Sequence, residues 1–225
     1  NLMDIQKYEA GKTILQKTRF NFSAFIQEMY HSFESVAANR EITFTLDNKL
    51  PESFFTCYDE AEIEKVFFNL LSNAFKFTSS GGQVTIRIRQ IAQPYCEGLP
   101  MFPEQQVSTL IESSYLFIEI TDTGMGFNQG EADKIFEPFY RAKEDIYKQV
   151  SGTGIGLSLT RSIVQQHQGS IWATSTEGKG TCFMILLPDT EKQKEQANDV
   201  SHSYPSEINK KVALLVEETE TRNKQ

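Results

Sequence analysis

The sequence predicts an α+β two-layer sandwich, one mixed β-sheet covered on one face by three helices. Three observations carry this prediction. Two long segments repeat apolar residues at helical spacing, Phe22, Phe25, Ile26, Met29, Tyr30, Phe33, Val36 and Ala37, then Ile63, Val66, Phe67, Leu70, Leu71 and Ala74. Alternating apolar runs cluster as hairpins late in the chain, at Val84, Ile86 and Ile88, at Leu116, Ile118 and Ile120, and over the last two strands. A third helix runs from about Ile155 to Gln168, between the second and third of these strand groups.

In chain order, Asn1 to Glu9 read as the end of a helix stopped by Gly11, and Ile14 to Phe20 as a strand. The first long helix follows, then Ile42, Phe44 and Leu46, which alternate like a half-buried strand. The second helix starts near Asp59, with Asp59 and Glu62 at capping-box spacing, and ends before the turn Ser79-Ser80-Gly81-Gly82. Gln90 to Ser114 is irregular, with two prolines, and reads as a long hairpin insertion. Gly124 to Gly152 is polar apart from an apolar knot at Phe136 to Tyr140. The last strands fall near Ser170–Thr176 and Thr181–Leu187. Asp189 to Asn209 is polar and aperiodic, as a linker is, and Val212 to Val216 reads as one isolated strand.

Composition bounds the function. The 225 residues are 39% hydrophobic and 23% charged, enough for one packed core with long polar stretches, and 17 Phe against one Trp make that core Phe-built. A net charge of -8 and a pI near 5.0 argue against nucleic acid as the main partner. Three widely spaced cysteines give neither a metal pair nor a disulfide framework, which favours a reducing compartment. No signal peptide and no apolar run near ~18 residues is present, so the fragment reads as soluble.

Four segments can carry chemistry. Asn69 and Asn73, four residues apart, share one helix face with Lys76 a turn on. Two carboxamides and an ammonium suit a magnesium ion and a phosphate, though a solvated polar face has the same pattern. Asp122-Thr-Gly124-Met-Gly126 follows an apolar strand, placing a carboxylate where it can accept from an amino group; a tight turn looks alike. Gly152-Thr153-Gly154-Ile155-Gly156-Leu157 opens a helix, where free N–H groups bind phosphate. It is not a dinucleotide fingerprint, because a polar loop precedes it, and no GxxxxGK[ST] loop exists in the chain. Gly178-Lys-Gly180-Thr181 reads as an ordinary hairpin turn.

In this order, with Phe136-Glu-Pro-Phe139 between the second and third, the segments resemble the GHKL (Bergerat-type) ATP-binding superfamily and, within it, the catalytic domain of histidine kinases. Asn69–Thr78 matches the N box, Asp122–Gly126 the G1 box, Phe136–Phe139 the F box and Gly152–Leu157 the G2 box. The resemblance implies ATP and Mg2+ as ligands. Asp122 would take the adenine amino group, helped by water and Thr181, while Gly124 and Gly126 let their loop close on the base. Asn73 would ligate magnesium, with Asn69 as second ligand or hydrogen-bond partner. Lys76, Arg141 and the backbone of Gly152, Thr153, Gly154, Ile155 and Gly156, running into Leu157, would contact phosphates. Phe127 to Ser151 would be a mobile lid anchored by Phe136 and Phe139. Phe77 stands where the family often has Tyr.

The ends are similar to family neighbours too. Residues 1–11 resemble the end of a dimerisation-domain helix, whose phosphate-accepting histidine would lie upstream of Asn1. Residues 12–188 would be the ATP-binding domain, 189–209 a linker, and 210–225 the truncated start of a receiver domain, with Glu217-Glu218 as its acidic pair. His31, His167 and His202 lack the acceptor context and read as structural. The implied parent is a hybrid protein-histidine kinase, a membrane-anchored homodimer with this portion in the cytoplasm, acting on its own dimerisation and receiver domains. A GHKL ATPase that drives motion and a non-catalytic nucleotide scaffold are the rivals.

Overall fold

The computed structural model describes residues 14–92, 99, 114–141, 154–190 and 211–215. Strands β1 (Thr18–Asn21) and β3 (Phe55–Tyr58) form an antiparallel pair. A five-stranded sheet has the order β2-β4-β5-β7-β6, from β2 (Thr43–Asn48), β4 (Gln83–Ala92), β5 (Ser114–Asp122), β6 (Ser170–Thr176) and β7 (Gly180–Pro188). β2 runs parallel to β4 and the other neighbours are antiparallel, so the sheet is mixed as expected. Helices α1 (Phe22–Asn39), α2 (Glu60–Phe77) and α3 (Gly156–Gln166) lie on one face.

The two-residue period of the strands sorts the core. Val84, Ile86, Leu116, Ile118, Phe183 and Ile185 join the helices in the main cluster, at 6% exposure or less. Their neighbours Tyr115, Phe117, Trp172, Met184 and Leu186 point the other way and form a second buried cluster with Leu99 of the long β4–β5 connection. The abundance of Phe is spent where α1 and α2 meet the β1–β3 pair. Phe20, Phe25, Phe67 and Tyr58 interlock there, with Phe20 and Phe25 edge-on at 5.6 Å between centroids.

Two expectations change. Lys211 to Leu215 is a helical turn, not a strand: Val212 and Leu215, three residues apart, face the core while Leu214 stays exposed. Lys211 lies 5.9 Å over the Phe68 ring. The strand expected from Ile14 is confined to Thr18–Asn21, and Ile14 is exposed. The expected helix at 1–9 lies outside the described residues.

The start of α2 is built differently from its sequence pattern. Asp59 is the N-cap, and its Oδ1 accepts from Glu62 N at 3.3 Å. Glu62 does not return the bond: its carboxylate takes Lys65 at 2.8 Å. The Asp59 N–H donates instead to Nε2 of His167 at 3.1 Å. The opposite ring nitrogen, Nδ1, is 2.8 Å from the Ile163 carbonyl and so carries the proton. Burial holds His167 below its usual pKa, and the neutral ring ties the end of α3 to the start of α2. His167→Ala is expected to cost about 1–2 kcal/mol in urea unfolding, because it leaves the part-buried Asp59 N–H without its partner. The native ring resists a proton that the unfolded ring accepts, so the wild-type chain should lose stability as pH falls below about 6.5, and His167→Ala should lack that component. Identical pH profiles for the two proteins would contradict this role.

Candidate nucleotide site

The site lies at one end of the sheet. Asp122 is the last residue of β5, only 5% exposed, paired in register with Thr181 of β7. Its Oδ1 accepts from Gly124 N at 2.8 Å. Burial pushes its pKa up to about 6, against the opposing pull of hydrogen bonds from the backbone of Gly124 and Thr181. At neutral pH the group is therefore a desolvated carboxylate, a strong acceptor facing an open cleft of about 420 Å³. Its lining comes from β5, β6, β7, the β6–β7 turn and Gln129, with no residue of α2 or α3. The cleft wraps the sheet end, taking Asp122 and Thr181 from the helix side and Thr121 and Cys182 from the other.

The loop after Asp122 is stitched on both sides. Met125 N donates to the Phe77 carbonyl at the end of α2, and Gly178 N to the Met125 carbonyl from the β6–β7 hairpin. Two glycines are required for this approach. Gly126 has φ 59° and Gly180 φ 110°, and a Cβ on either would overlap a backbone carbonyl, of Thr176 and Asp122 respectively. The Gly178–Thr181 segment is the β6–β7 hairpin turn expected, and its Lys179, Gly180 and Thr181 also line the cleft. The Thr181 hydroxyl is 3.0 Å from Ser175 Oγ, which also accepts from Phe127 N.

On α2, Asn69, Asn73 and Lys76 are half-buried along the side away from the apolar stripe. Asn69 Nδ2 reaches the Gly156 carbonyl and Thr160 Oγ1, both at 3.4 Å, so this carboxamide spans to α3. Lys76 lies 5.3 Å from the Phe77 ring centroid. The residues fit a magnesium ion: Asn73 offers an amide oxygen, and among the described residues no cluster of three His, Cys, Asp or Glu forms a protein cage. A cation that keeps waters and bridges phosphates needs no more than this.

Opposite, α3 opens at Gly156 with Ile155 in the N-cap position and no side chain capping it. Its first N–H groups therefore point outward without a side-chain acceptor, as an anion site requires. Leu157 packs against the core. Gly152 and Thr153 lie outside the described residues. Of the expected lid anchors only Phe136 is buried, at 3% exposure, its ring edge-on to Phe183 at 6.2 Å. Phe139 is 59% exposed with φ 66°, and it holds the lid through its backbone, its N–H donating to the Gly154 carbonyl at 2.9 Å. Arg141 is exposed at the end of the described part of the lid.

Three residues here escape a reading of the sequence. Gln129 mimics a strand on the edge of β6, accepting from Ser175 N at 2.7 Å and donating to the Ala173 carbonyl. Ser175 bridges three backbone segments. Arg161 covers the Phe136 ring. Single polar residues outside any motif give no signal for such contacts.

A buried carboxylate at a strand end, a glycine loop stitched beside it and a helix that starts without a side-chain cap accord with a nucleotide-binding domain of the GHKL fold. The family profile described as Histidine kinase-, DNA gyrase B-, and HSP90-like ATPase matches residues 58–191, and the chain belongs to that family. The chain is 27% identical over 194 residues to the autoinducer 2 sensor kinase/phosphatase LuxQ of Vibrio harveyi, covering 86% of this chain and 21% of LuxQ. It is 30% identical over 223 residues to the aerobic respiration control sensor protein ArcB of Escherichia coli, covering 98% of this chain and 26% of ArcB. The chain thus spans about a quarter or less of these curated relatives. Among solved structures, the catalytic domain of histidine kinase ThkA superposes with a TM-score of 0.59 at 26% identity, over 80% of this chain and 99% of that one. Full-length ShkA in complex with AMPPNP gives 0.65 at 18% identity, over 84% of this chain and 34% of that one, a likeness of fold.

Proposed function

We propose that this chain binds Mg-ATP and passes the γ-phosphoryl group to a histidine on a dimerisation domain outside it. The observation that carries the proposal is the desolvated Asp122 carboxylate, held by the backbone of Gly124 and Thr181, in a domain whose α3 begins without a side-chain cap. Asp122 fixes the base by accepting from its amino group, and the α3 N–H groups with Lys76 and Arg141 take the phosphates. Asn73 would hold a magnesium ion, which would supply positive charge beside the phosphates. The incoming imidazole nitrogen forms the N–P bond as the bond from γ-phosphorus to the bridging oxygen breaks, and ADP leaves. The domain supplies position and charge; the imidazole brings its own lone pair. The names of the relatives, sensor kinases, support phosphotransfer over motion. A receiver domain as onward acceptor is part of the same proposal; ThkA has been solved in complex with the response regulator TrrA, at 21% identity to this chain.

The two histidines among the described residues are poor acceptors. His31 is exposed but paired with Glu34 at 2.9 Å on α1, and both ring nitrogens of the buried His167 are engaged. Incubated alone with labelled ATP, the chain should acquire no acid-labile phosphate. Mixed with a histidine-bearing dimerisation domain, it should label that domain only. Phosphohistidine at His31, His167 or His202, seen by mass spectrometry, would overturn the assignment of the acceptor to another domain.

A further inference from the structure

We propose that Arg161 is a positioning residue that fixes Phe136, and with it the base of the lid, beside the nucleotide cleft. Arg161 lies on α3, five residues after its first residue, Gly156, and helical side chains lean toward the N-terminus. Its guanidinium carbon sits 4.4 Å from the Phe136 ring centroid, and Nη2 is 3.8 Å from Asp133 Oδ1. The Arg161 side chain is 30% exposed, whereas Asp133 is fully in water. The ion pair is therefore long and screened, and the half-buried contact of cation on ring dominates.

The contact lies between the parts of the site. Phe136 ends the 3₁₀ turn Lys134–Phe136, three residues that cannot hold their shape without packing. One face of its ring takes Arg161, and Phe183 meets it edge-on at 6.2 Å. Phe183 is two residues beyond Thr181, on the same face of β7, and Thr181 pairs with Asp122. Arg161 thus joins the helix that would open on the phosphates to the strands that would hold the base, through Phe136, a buried aromatic of the lid. This rests on the proposed nucleotide site for its functional consequence, but the contact itself can be tested without nucleotide.

The test uses the whole 225-residue chain. Without ligand, Arg161→Ala should speed amide exchange at residues 134–140 by roughly tenfold or more and leave β4 and β5 unchanged. Arg161→Lys, which keeps a cation over the ring, should restore most of the protection. Asp133→Asn should exchange as the wild type does. In transfer to a supplied histidine domain, Arg161→Ala should raise KM for ATP about three- to tenfold with kcat at saturation within about twofold. Should Arg161→Ala fail to fold, Arg161→Gln, a flat uncharged side chain of similar reach, carries the same expectations. Unchanged exchange at 134–140 would overturn the proposal, as would an equal effect of Asp133→Asn or a fall in kcat at constant KM. A wild-type chain that bound no ATP would overturn the nucleotide site, and the exchange measurements would still decide the role of Arg161.

Discussion

Asp122→Ala should weaken ATP binding by about ten- to a hundredfold, the equivalent of about 1.5–3 kcal/mol for losing a hydrogen bond to a charged acceptor. The same carboxylate should make binding depend on pH. Its pKa stands near 6 because burial disfavours the ion, so protonation begins to remove the acceptor at a mildly acid pH. Affinity of the wild type should be flat above neutrality and fall below about pH 6, approaching tenfold per unit. Asp122→Asn, with no proton to gain, should bind weakly at every pH without that slope. The free protein should show the opposite sign. Between about pH 4 and 6 the native carboxyl holds a proton that the unfolded one has lost, so Asp122 alone makes the fold less stable as pH rises through this window. Asp122→Asn should abolish that term also. Calorimetry across pH 5 to 8 separates the two effects; a wild-type affinity indifferent to pH, or unchanged in Asp122→Ala, would remove Asp122 from the site.

The sequence yields the long elements well and the short ones poorly, for physical reasons visible in particular residues. α2 was expected from Asp59 to just before Ser79 and occupies Glu60–Phe77, because its start is a side-chain cap and its stripe runs unbroken from Ile63 to Ala74. β3 went unseen: Thr56, Cys57 and Tyr58 are all buried, so no alternation marks the strand, and four residues are too few to show a period. The apolar run after residue 210 failed for the related reason that Val212 and Leu215 satisfy a helical spacing within a sequence rich in strand formers. At the site, the N box, G1 and G2 segments announce themselves because their chemistry is local. Why Gly126 and Gly180 must be glycine is not legible, since the overlap comes from the carbonyls of Thr176 and Asp122 on other strands. The capping of α2 by His167 is likewise a contact across 108 residues of sequence.

Hydrolysis of ATP by this chain alone should be very slow, well below about 1 s⁻¹, the lower end of ordinary enzyme rates. Attack by water requires that a proton be removed or the water be aimed, and a carboxylate one turn before the metal-binding Asn would do this. The residue four before Asn73 is Asn69, whose amide cannot take a proton near neutral pH. The structure also gives Asn69 another task, since its Nδ2 reaches Gly156 and Thr160 and so links α2 to α3. The acids of α2, Glu60, Glu62 and Glu64, lie at its beginning, nine or more residues before Asn73 and hence roughly 13 Å or more along the axis. On the proposed reading a histidine nucleophile brings its own lone pair, so the missing carboxylate would cost phosphotransfer nothing and would suppress hydrolysis. Transfer to a supplied histidine domain should therefore outrun phosphate release clearly. Asn69→Glu supplies the carboxylate but breaks the link to α3, which makes it the weaker test. A phosphate-release assay on the wild-type chain decides: turnover of about 1 s⁻¹ or faster would assign the site to an ATPase that drives motion rather than to a kinase.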